Sequence, residues 1–203
     1  VFGRYVPQAV AARILEEEGA LAPMETEATL LFCDLERFTS IAENARPADV
    51  LEMLSEYFTA VLSPISDHGG VANQFLGDGL LCSFNVPAQN DMHADHAVSA
   101  AFEIREILER SKFSGRRLRA RIGVATGPVI AGNIVAADRL QYAILGDTVN
   151  LAARLEQLNK TCGTELLVSG ETVSKLSCSY VLKDMGDFQI RGKSKLVHVY
   201  GAE

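Results

Sequence analysis

The sequence predicts an α+β fold with a ferredoxin-like βαββαβ core and extra C-terminal strands. Three observations support it: a buried apolar run that ends at Asp34, a long helix with one apolar face, and a glycine-rich turn between two apolar strands. Strands and helices that alternate in this order favour an antiparallel or mixed sheet with helices on one face. The other face of such a sheet needs a cover, which a partner subunit could provide.

The first half of the core contains a strand, a helix and a hairpin. The strand is the apolar run over 29–33 that leads to Asp34. A helix is predicted over 47–67, because apolar residues recur there three and four positions apart and form one broad face. They are Val50, Met53, Leu54, Tyr57, Phe58, Val61, Leu62 and Ile65. The turn Gly77-Asp78-Gly79 then joins two strands.

The second half alternates in the same way. A helix is predicted over 92–110, a basic loop over 112–117 and a strand over 118–125. The pair Gly127-Pro128 predicts a break before a partner strand over 129–133. The remaining predictions are a third helix over 148–159, short strands over 166–168, 180–187 and 195–200, and a short helix over 171–176.

Length and composition exclude several classes of protein. The chain has 203 residues, of which 48% are hydrophobic, enough for one domain with a buried core. Its net charge of -7 argues against a nucleic-acid partner, because binding to a phosphate backbone requires a surplus of Lys and Arg. No apolar stretch approaches the roughly 20 residues needed to cross a bilayer. The start lacks an initiator Met and a signal-peptide pattern, so we expect a cytoplasmic segment of a longer protein.

The chain divides into a short connector and one domain. Residues 1–25 are expected to connect the domain to an upstream region, and residues 26–203 to form the domain. The four cysteines are widely spaced and form no CxxC pair, which predicts free thiols. A zinc site is therefore not expected among them.

Two aspartates are candidate metal ligands. Asp34 closes a buried strand, and Asp78 lies in the turn between two others. A carboxylate in such a place is unfavourable unless a positive charge meets it. Two carboxylates are a typical protein contribution to Mg²⁺, which keeps its other positions for water and substrate phosphate. The alternative is that both are turn aspartates that cap local amides.

A second pair of candidate residues lies on the third predicted helix. Asn150 and Arg154 are four residues apart and therefore share a helix face. An amide and a guanidinium that project together suit a ribose and a phosphate. The alternative is a solvated face on which Arg154 pairs with a nearby acid.

Four motifs, in order along the chain, resemble the catalytic domain of class III nucleotidyl cyclases, the adenylate and guanylate cyclases. They are Phe32-Cys33-Asp34-Leu35-Glu36-Arg37-Phe38-Thr39, Phe75-Leu76-Gly77-Asp78, Arg121-Ile122-Gly123 with Gly127, and Gly146-Asp147-Thr148-Val149-Asn150-Leu151-Ala152-Ala153-Arg154. The resemblance covers residues 29–200. It implies a class III cyclase homology domain that acts as a head-to-tail homodimer with two active sites at the interface.

In that arrangement one chain supplies the metal and phosphate contacts. The resemblance implies that Asp34, Asp78 and the backbone of Leu35 hold two Mg²⁺ ions, with Mn²⁺ as a substitute. It places the backbone of Phe38 and Thr39 near the phosphates. It also assigns the terminal phosphates to Arg121.

The other chain supplies the remaining contacts. The resemblance implies that Asn150 binds the ribose and that Arg154 binds the α-phosphate. A basic residue from the segment 190–193 binds the triphosphate; Arg191 is the first candidate by its position before the glycine, and Lys193 the second. The implied reaction is in-line attack of the ribose 3′-oxygen on the α-phosphorus, which releases pyrophosphate and a 3′,5′-cyclic nucleotide.

Base selection is where the sequence departs from the family. Gln74 takes the place of the Lys of adenylate cyclases or the Glu of guanylate cyclases, and Ala143 takes the place of an Asp or Thr. An amide donates and accepts, so Gln74 can read either purine, whereas the side chain of Ala143 reads neither. ATP is preferred, because Gln74 lacks the fixed negative charge that would favour the N1 and N2 donors of guanine.

The motifs and the resemblance therefore predict an adenylate cyclase that depends on Mg²⁺ and on a homodimer, and an upstream sensor domain is expected in the full-length protein. A guanylate cyclase or mixed-purine cyclase is the alternative enzyme, with GTP as substrate. A different class of alternative is a regulatory module that binds nucleotide or dimerises without catalysis.

Overall fold

The computed structural model describes residues 23–136 and 139–202, which form a sheet covered by helices. The strands are β1 Met24–Leu35, β2 Val71–Leu76, β3 Gly79–Phe84, β4 Ala120–Ala136, β5 Arg139–Leu145, β6 Leu166–Ser169, β7 Lys183–Phe188 and β8 Val197–Ala202. The helices are α1 Phe38–Glu43, α2 Pro47–Asp67, α3 His93–Arg110, α4 Asp147–Cys162 and α5 Gly170–Ser174. In the described residues the sheet has the strand order β2-β3-β1-β4-β6-β8-β7, and β5 pairs with the far end of β4.

The sheet carries a hydrophobic cluster on each face. On one face α2 and α3 pack through Tyr57, Ile65 and Ile104. On the other face α4 packs through Leu151 and Leu155. The prediction of helices on one face only is therefore wrong. The inward side of α4 is apolar, so this helix covers part of the second face within the same chain.

Gly123 allows α4 to pack this closely on β4. A Cβ atom at this position would lie 2.2 Å from the carbonyl oxygen of Ala152 and 2.4 Å from the amide nitrogen of Glu156. Both atoms belong to the helix backbone, which cannot move aside as a flexible side chain can. The absence of a side chain on Gly123 therefore sets the distance between α4 and the sheet.

The alternation of β1 decides which face receives the carboxylate at its end. Leu31 and Cys33 belong to the cluster under α2 and α3, whereas Leu30 and Phe32 belong to the cluster under α4. Because successive side chains of a strand point to opposite faces, Asp34 falls on the face of α4. The end of β1 thus presents a carboxylate toward that helix.

Most predicted elements are confirmed, with one clear error. The helix predicted over 47–67 is α2, and the hairpin around Asp78 is β2 and β3.

The break predicted at Gly127-Pro128 is wrong, because β4 continues through it. In the described sheet β6 pairs with β4 as far as Val124, and β5 begins to pair at Ile130. Pro128 lies between them, where β4 has β1 as neighbour on one side only, so its missing N–H is tolerated.

The described residues bear on the cysteines and on membrane spans, but not on most of the predicted connector. The four cysteines are free thiols, as predicted, and Cys33 and Cys82 are buried. Among the described residues, no helix has both the length and the apolar character needed to span a bilayer. Residues 1–22 of the predicted connector lie outside the described part of the chain.

Candidate active site

Asp34 and Asp78 lie together at one end of the sheet. Asp34 pairs with Arg121 across β1 and β4, and the β1–β3 register brings the turn that holds Asp78 beside it. The Oδ1 atom of Asp34 lies 3.2 Å from the position that a Cβ on Gly79 would occupy. Burial, followed by the charge of Asp78, raises the pKa of Asp34 to about 6. The site therefore concentrates negative charge.

The chemistry of this pair fits a hard divalent cation. Carboxylate oxygens are the ligands that Mg²⁺ prefers, and a cation would relieve the repulsion that raises the pKa of Asp34. Leu35 follows Asp34 with its side chain in the core, so only its backbone is available to a metal. Within residues 23–136 and 139–202, no group of three or more His, Cys, Asp or Glu side chains surrounds one point. A metal held here would take most of its ligands from water and substrate.

Arg121 links the aspartate pair to a third carboxylate, that of Glu156. Its Nε atom lies 2.9 Å from Oε1 of Glu156, and its Nη2 atom lies 3.5 Å from Oδ2 of Asp34. The contact with Glu156 is an ion pair whose angle departs from hydrogen-bond geometry. Neither Nε of Arg121 nor Oε1 of Glu156 therefore has a hydrogen-bond partner among the described residues. The proposed phosphate ligand Arg121 thus already has a carboxylate on each side.

Glu156 is a site residue that the sequence reasoning missed. It is 3% exposed, and burial raises its pKa to about 7 despite the neighbouring guanidinium. The signal was present in the sequence: Glu156 lies one turn after Ala152 and next to Leu155, on the apolar side of the predicted helix. An acid on such a side requires a buried cation as partner.

Asn150 and Arg154 lie on the other side of α4. Arg154 is two residues before Glu156, which corresponds to about 200° around the helix. Asn150 is exposed, whereas Leu151, Ala152 and Leu155 are buried. Within one chain, the pair of Asn150 and Arg154 is therefore directed away from the sheet that carries Asp34.

The loop over 191–193 meets the outer side of α4. A Cβ on Gly192 would lie 3.0 Å from the Nη2 atom of Arg154. The Nη1 atom of Arg154 is buried and has no hydrogen-bond partner among the described residues. Lys193 forms an ion pair with Asp147 in the first turn of α4, and Arg191 is exposed. The structure thus brings Arg154 and the two basic candidates of this loop to one end of α4.

Phe38 and Thr39 begin helix α1, which the sequence reasoning did not predict. The chain turns sharply at Arg37, whose φ is 57°, three residues after Asp34. Phe38 packs against the core, and Thr39 is exposed. The first N–H groups of α1 therefore follow closely on the aspartate at the end of β1.

The two candidate base-reading residues lie on different strands, β2 and β5. Gln74 is exposed on β2, and Ala143 is half-buried on β5, opposite Gly132 of β4. Strands β2 and β5 contact each other, although they are not hydrogen-bonded neighbours in the sheet. Gln74 pairs with Leu81, which belongs to the cluster under α4, so Gln74 faces the same side as that helix.

Comparison with known proteins identifies the family of the chain. Residues 22–200 match the family described as adenylate and guanylate cyclase catalytic domain. The chain therefore belongs to this family, and its fold is that of a class III cyclase catalytic domain.

Relatives of both substrate types are similar to the chain. Adenylate cyclase 1 of Rhizobium meliloti (strain 1021) is 35% identical over 98% of this chain, which spans 31% of that protein's length. The crystal structure of the adenylyl cyclase CyaB from P. aeruginosa is 27% identical with a TM-score of 0.79, covering 89% of this chain and 95% of that one. The crystal structure of the guanylate cyclase domain of RhGC from Catenaria anguillulae, in complex with GTP, is 25% identical with a TM-score of 0.79. The match covers 88% of this chain and 98% of that one.

Proposed function

We propose that this domain is a magnesium-dependent adenylate cyclase, which converts ATP to 3′,5′-cyclic AMP and pyrophosphate at sites shared by two copies of the chain. One observation carries the proposal: α4 separates the aspartate pair from Asn150 and Arg154. Asp34 faces the inner side of the helix, and Asn150 and Arg154 lie on its outer side. One chain thus holds both halves of the machinery but directs them apart.

A second copy in head-to-tail orientation would complete each site. The outer side of α4 of one copy would then face the aspartate pair of the other, and the two-fold relation would create two equivalent sites. The Nη1 atom of Arg154, which has no hydrogen-bond partner among residues 23–136 and 139–202, supports this arrangement, because a buried guanidinium nitrogen needs an acceptor. A phosphate oxygen is a suitable one.

The side chains have separate tasks in the proposed reaction. The amide of Asn150 orients the ribose so that its 3′-oxygen lies in line with the α-phosphorus. A bond forms between these atoms, the bond from the α-phosphorus to the bridging oxygen breaks, and the 3′-hydroxyl proton is released. Arg154 stabilises the charge that develops on the α-phosphate, while Arg121, Arg191 and Lys193 hold the departing pyrophosphate. Divalent cations bound at the aspartate pair would supply additional positive charge and favour ionisation of the attacking hydroxyl.

ATP is the proposed substrate, and GTP is the alternative. Gln74 has no fixed negative charge for the N1 and N2 donors of guanine, which favours adenine. Similarity to an adenylate cyclase over 98% of the chain agrees with this choice. Ala143 keeps GTP as the second candidate, because its side chain cannot reject either purine. Initial rates with ATP and GTP at equal concentration decide between them, and a much higher rate with GTP would refute the choice of ATP.

A non-catalytic regulatory role is less well supported. Such a domain is expected to lose at least one residue that contacts the reacting groups. Here Asp34, Asp78, Asn150 and Arg154 are all present, and the structure groups them into two pairs. Turnover of neither nucleotide by the dimer would favour the regulatory alternative.

Complementation between inactive variants tests the shared site. We expect Asp34→Ala and Arg154→Ala to be inactive alone and to recover activity when the two chains are mixed, because each heterodimer contains one intact site. Random pairing would give about a quarter of the wild-type activity, since half the dimers are mixed and each has one working site of two. The matched control mixes Asp34→Ala with Asp78→Ala, whose defects fall in the same half-site and should not complement. No recovery in the first mixture would refute the shared arrangement.

A further inference from the structure

Strand β2 contains a bulge next to the candidate base-reading residue. In the pairing of β2 with β3, Ala72 lies opposite Cys82 and Gln74 lies opposite Leu81, so Asn73 is an extra residue without a partner position. Bulges are concentrated near active sites, where they redirect side chains.

The bulge sends two consecutive side chains to the same face. Ala72 packs on the cluster under α2 and α3, and the ring of Phe75 lies 4.8 Å from that of Phe58 on α2. Residues three apart in a regular strand point to opposite faces, so only the extra residue lets Ala72 and Phe75 share one. Asn73 follows Ala72 and turns to the opposite face, where Gln74 also lies. Two carboxamides thus stand side by side on the face of α4.

The carboxamide of Asn73 lacks hydrogen bonds. Its Oδ1 and Nδ2 atoms are both buried, and neither has a hydrogen-bond partner among the described residues. Asn159, a buried amide on α4, shows the contrast: its Nδ2 atom donates to the carbonyl of Ile122 at 2.9 Å, and its Oδ1 atom accepts from Thr164 at 2.8 Å. Within the described part of the chain, both polar atoms of Asn159 are therefore satisfied, whereas neither polar atom of Asn73 is. Such a group lowers stability unless it has another use.

The carboxamide of Asn73 can leave this position without losing a hydrogen bond to any described residue. The residue as a whole is only half-buried, so rotation about its χ1 bond would bring the carboxamide to the surface of the α4 face. Rotations of this kind take place in picoseconds to nanoseconds at exposed sites. Beside Gln74, the carboxamide would then meet whatever binds there.

We propose that Asn73 is a second residue that reads the purine base, together with Gln74. This inference rests on the proposed nucleotide cyclase function and names a residue that sets its specificity. A carboxamide pairs well with adenine, since its oxygen accepts from the amino group and its nitrogen donates to a ring nitrogen. The two adjacent carboxamides would compensate for Ala143, which offers the base no polar group.

Substitution by leucine gives two readouts with opposite signs. We expect Asn73→Leu, which has a similar shape, to raise the melting temperature of the nucleotide-free domain, because it removes an unsatisfied buried amide. The same change should lower the ratio of kcat/KM for ATP to that for GTP on the order of tenfold. A purely structural role would move stability and leave this ratio unchanged. Gln89→Leu, at an exposed amide bonded only to Asp91 among the described residues, is the control and should alter neither quantity.

Asn73→Asp provides an independent test if the leucine variant does not fold. A carboxylate only accepts hydrogen bonds, so it should disfavour the ring acceptor of adenine and favour the N1 and N2 donors of guanine. The ATP to GTP ratio should therefore fall. A ratio within twofold of wild type in the folded leucine variant, or in the aspartate variant where that one is used, would overturn the inference. Absence of turnover in the wild-type domain would instead overturn the proposed function.

Discussion

Arg121 of β4 and Glu156 of α4 form an ion pair between the sheet and the helix, with Nε and Oε1 2.9 Å apart. Both side chains are largely buried: the exposed fraction is 18% for Arg121 and 4% for Glu156. Because Arg121 also reaches Asp34, the pair joins the inner side of α4 to the aspartate site. The geometry gives Glu156 two effects, one on stability and one on the position of Arg121.

Replacement of Glu156 should separate these effects. Glu156→Ala leaves the buried guanidinium of Arg121 without this partner, and we expect the free energy of unfolding to fall by about 3 kcal/mol. Glu156→Gln keeps an acceptor at the same place and should lose less than half of that. If Arg121 holds the terminal phosphates as proposed, both variants should raise KM for the nucleotide more than they lower kcat. Urea unfolding and steady-state kinetics measure the two effects, and equal stability of the two variants would contradict this account.

The aspartate pair predicts that divalent cations stabilise the domain. Two neighbouring carboxylates, one with a pKa of about 6, repel each other when both are charged. Mg²⁺ at 100 times its Kd should stabilise the wild type by about 2.7 kcal/mol, which raises the melting temperature by about 5–10 °C. Asp34→Asn and Asp78→Asn should lose this shift.

In the presence of a chelator, the order of the melting temperatures of the wild type and Asp34→Asn should reverse. Asp34→Asn removes the repulsion, so we expect it to melt at or above the wild-type temperature while remaining inactive. Asp91→Asn, at an exposed acid outside the site, is the matched control and should respond to Mg²⁺ as the wild type does. A normal Mg²⁺ response in both site variants would show that the cation binds elsewhere.

Gly123 predicts a large cost for the smallest possible side chain. In Gly123→Ala the new Cβ would overlap two backbone atoms of α4, so the helix must shift away from β4. We expect a loss of about 3 kcal/mol or more in the free energy of unfolding. Gly115→Ala is the control, because its Cβ meets nothing within 4 Å and its φ of +79° alone should cost about 1–2 kcal/mol. Chemical denaturation of both variants compares them, and an equal loss would exclude helix packing as the cause.

These relationships show which features the sequence could predict. The helix over 47–67 was predictable because a helix on a sheet must carry an apolar side, and its spacing is visible in the chain. The proximity of Asp34 and Asp78 was likewise foreseeable, because Asp34 closes one predicted strand and Asp78 lies in the turn between two others. The continuity of β4 through Pro128 was not, because it depends on where β6 and β5 pair, and strand neighbours are not encoded locally.

The remaining misses have the same origin in tertiary structure. The close packing of α4 on β4 depends on Gly123, whose role appears only once the helix is packed against it. The bulge at Asn73 depends on the register between β2 and β3, which a single strand sequence does not specify. Helix α1 is short and begins after a left-handed residue, Arg37, for which glycine is the usual signal.

Two histidines predict opposite responses of stability to pH. His93 lies at the start of α3 with its Nδ1 atom 2.7 Å from the hydroxyl of Thr29, and burial lowers its pKa. The folded state thus favours the neutral ring of His93. The contribution of His93 to stability is fully present above the unfolded pKa of about 6.5, and it is lost as the pH falls through the pKa of the folded state. His198 lies between Asp187 and Asp184, which raise its pKa. Its stability is present below about pH 6.5 and is lost as the pH rises through the folded pKa.

Glutamine variants of both histidines test this contrast, because glutamine keeps a polar side chain that does not titrate. We expect the stability difference between wild type and His93→Gln to be largest near pH 8 and to shrink toward pH 5. For His198→Gln the difference should be largest near pH 5 and shrink toward pH 8. Urea midpoints across this range measure both, and the double variant should show the sum, since the two histidines lie on different elements, α3 and β8. A difference for His93→Gln that grows toward pH 5, as that for His198→Gln does, would mean that burial of His93 does not control its protonation.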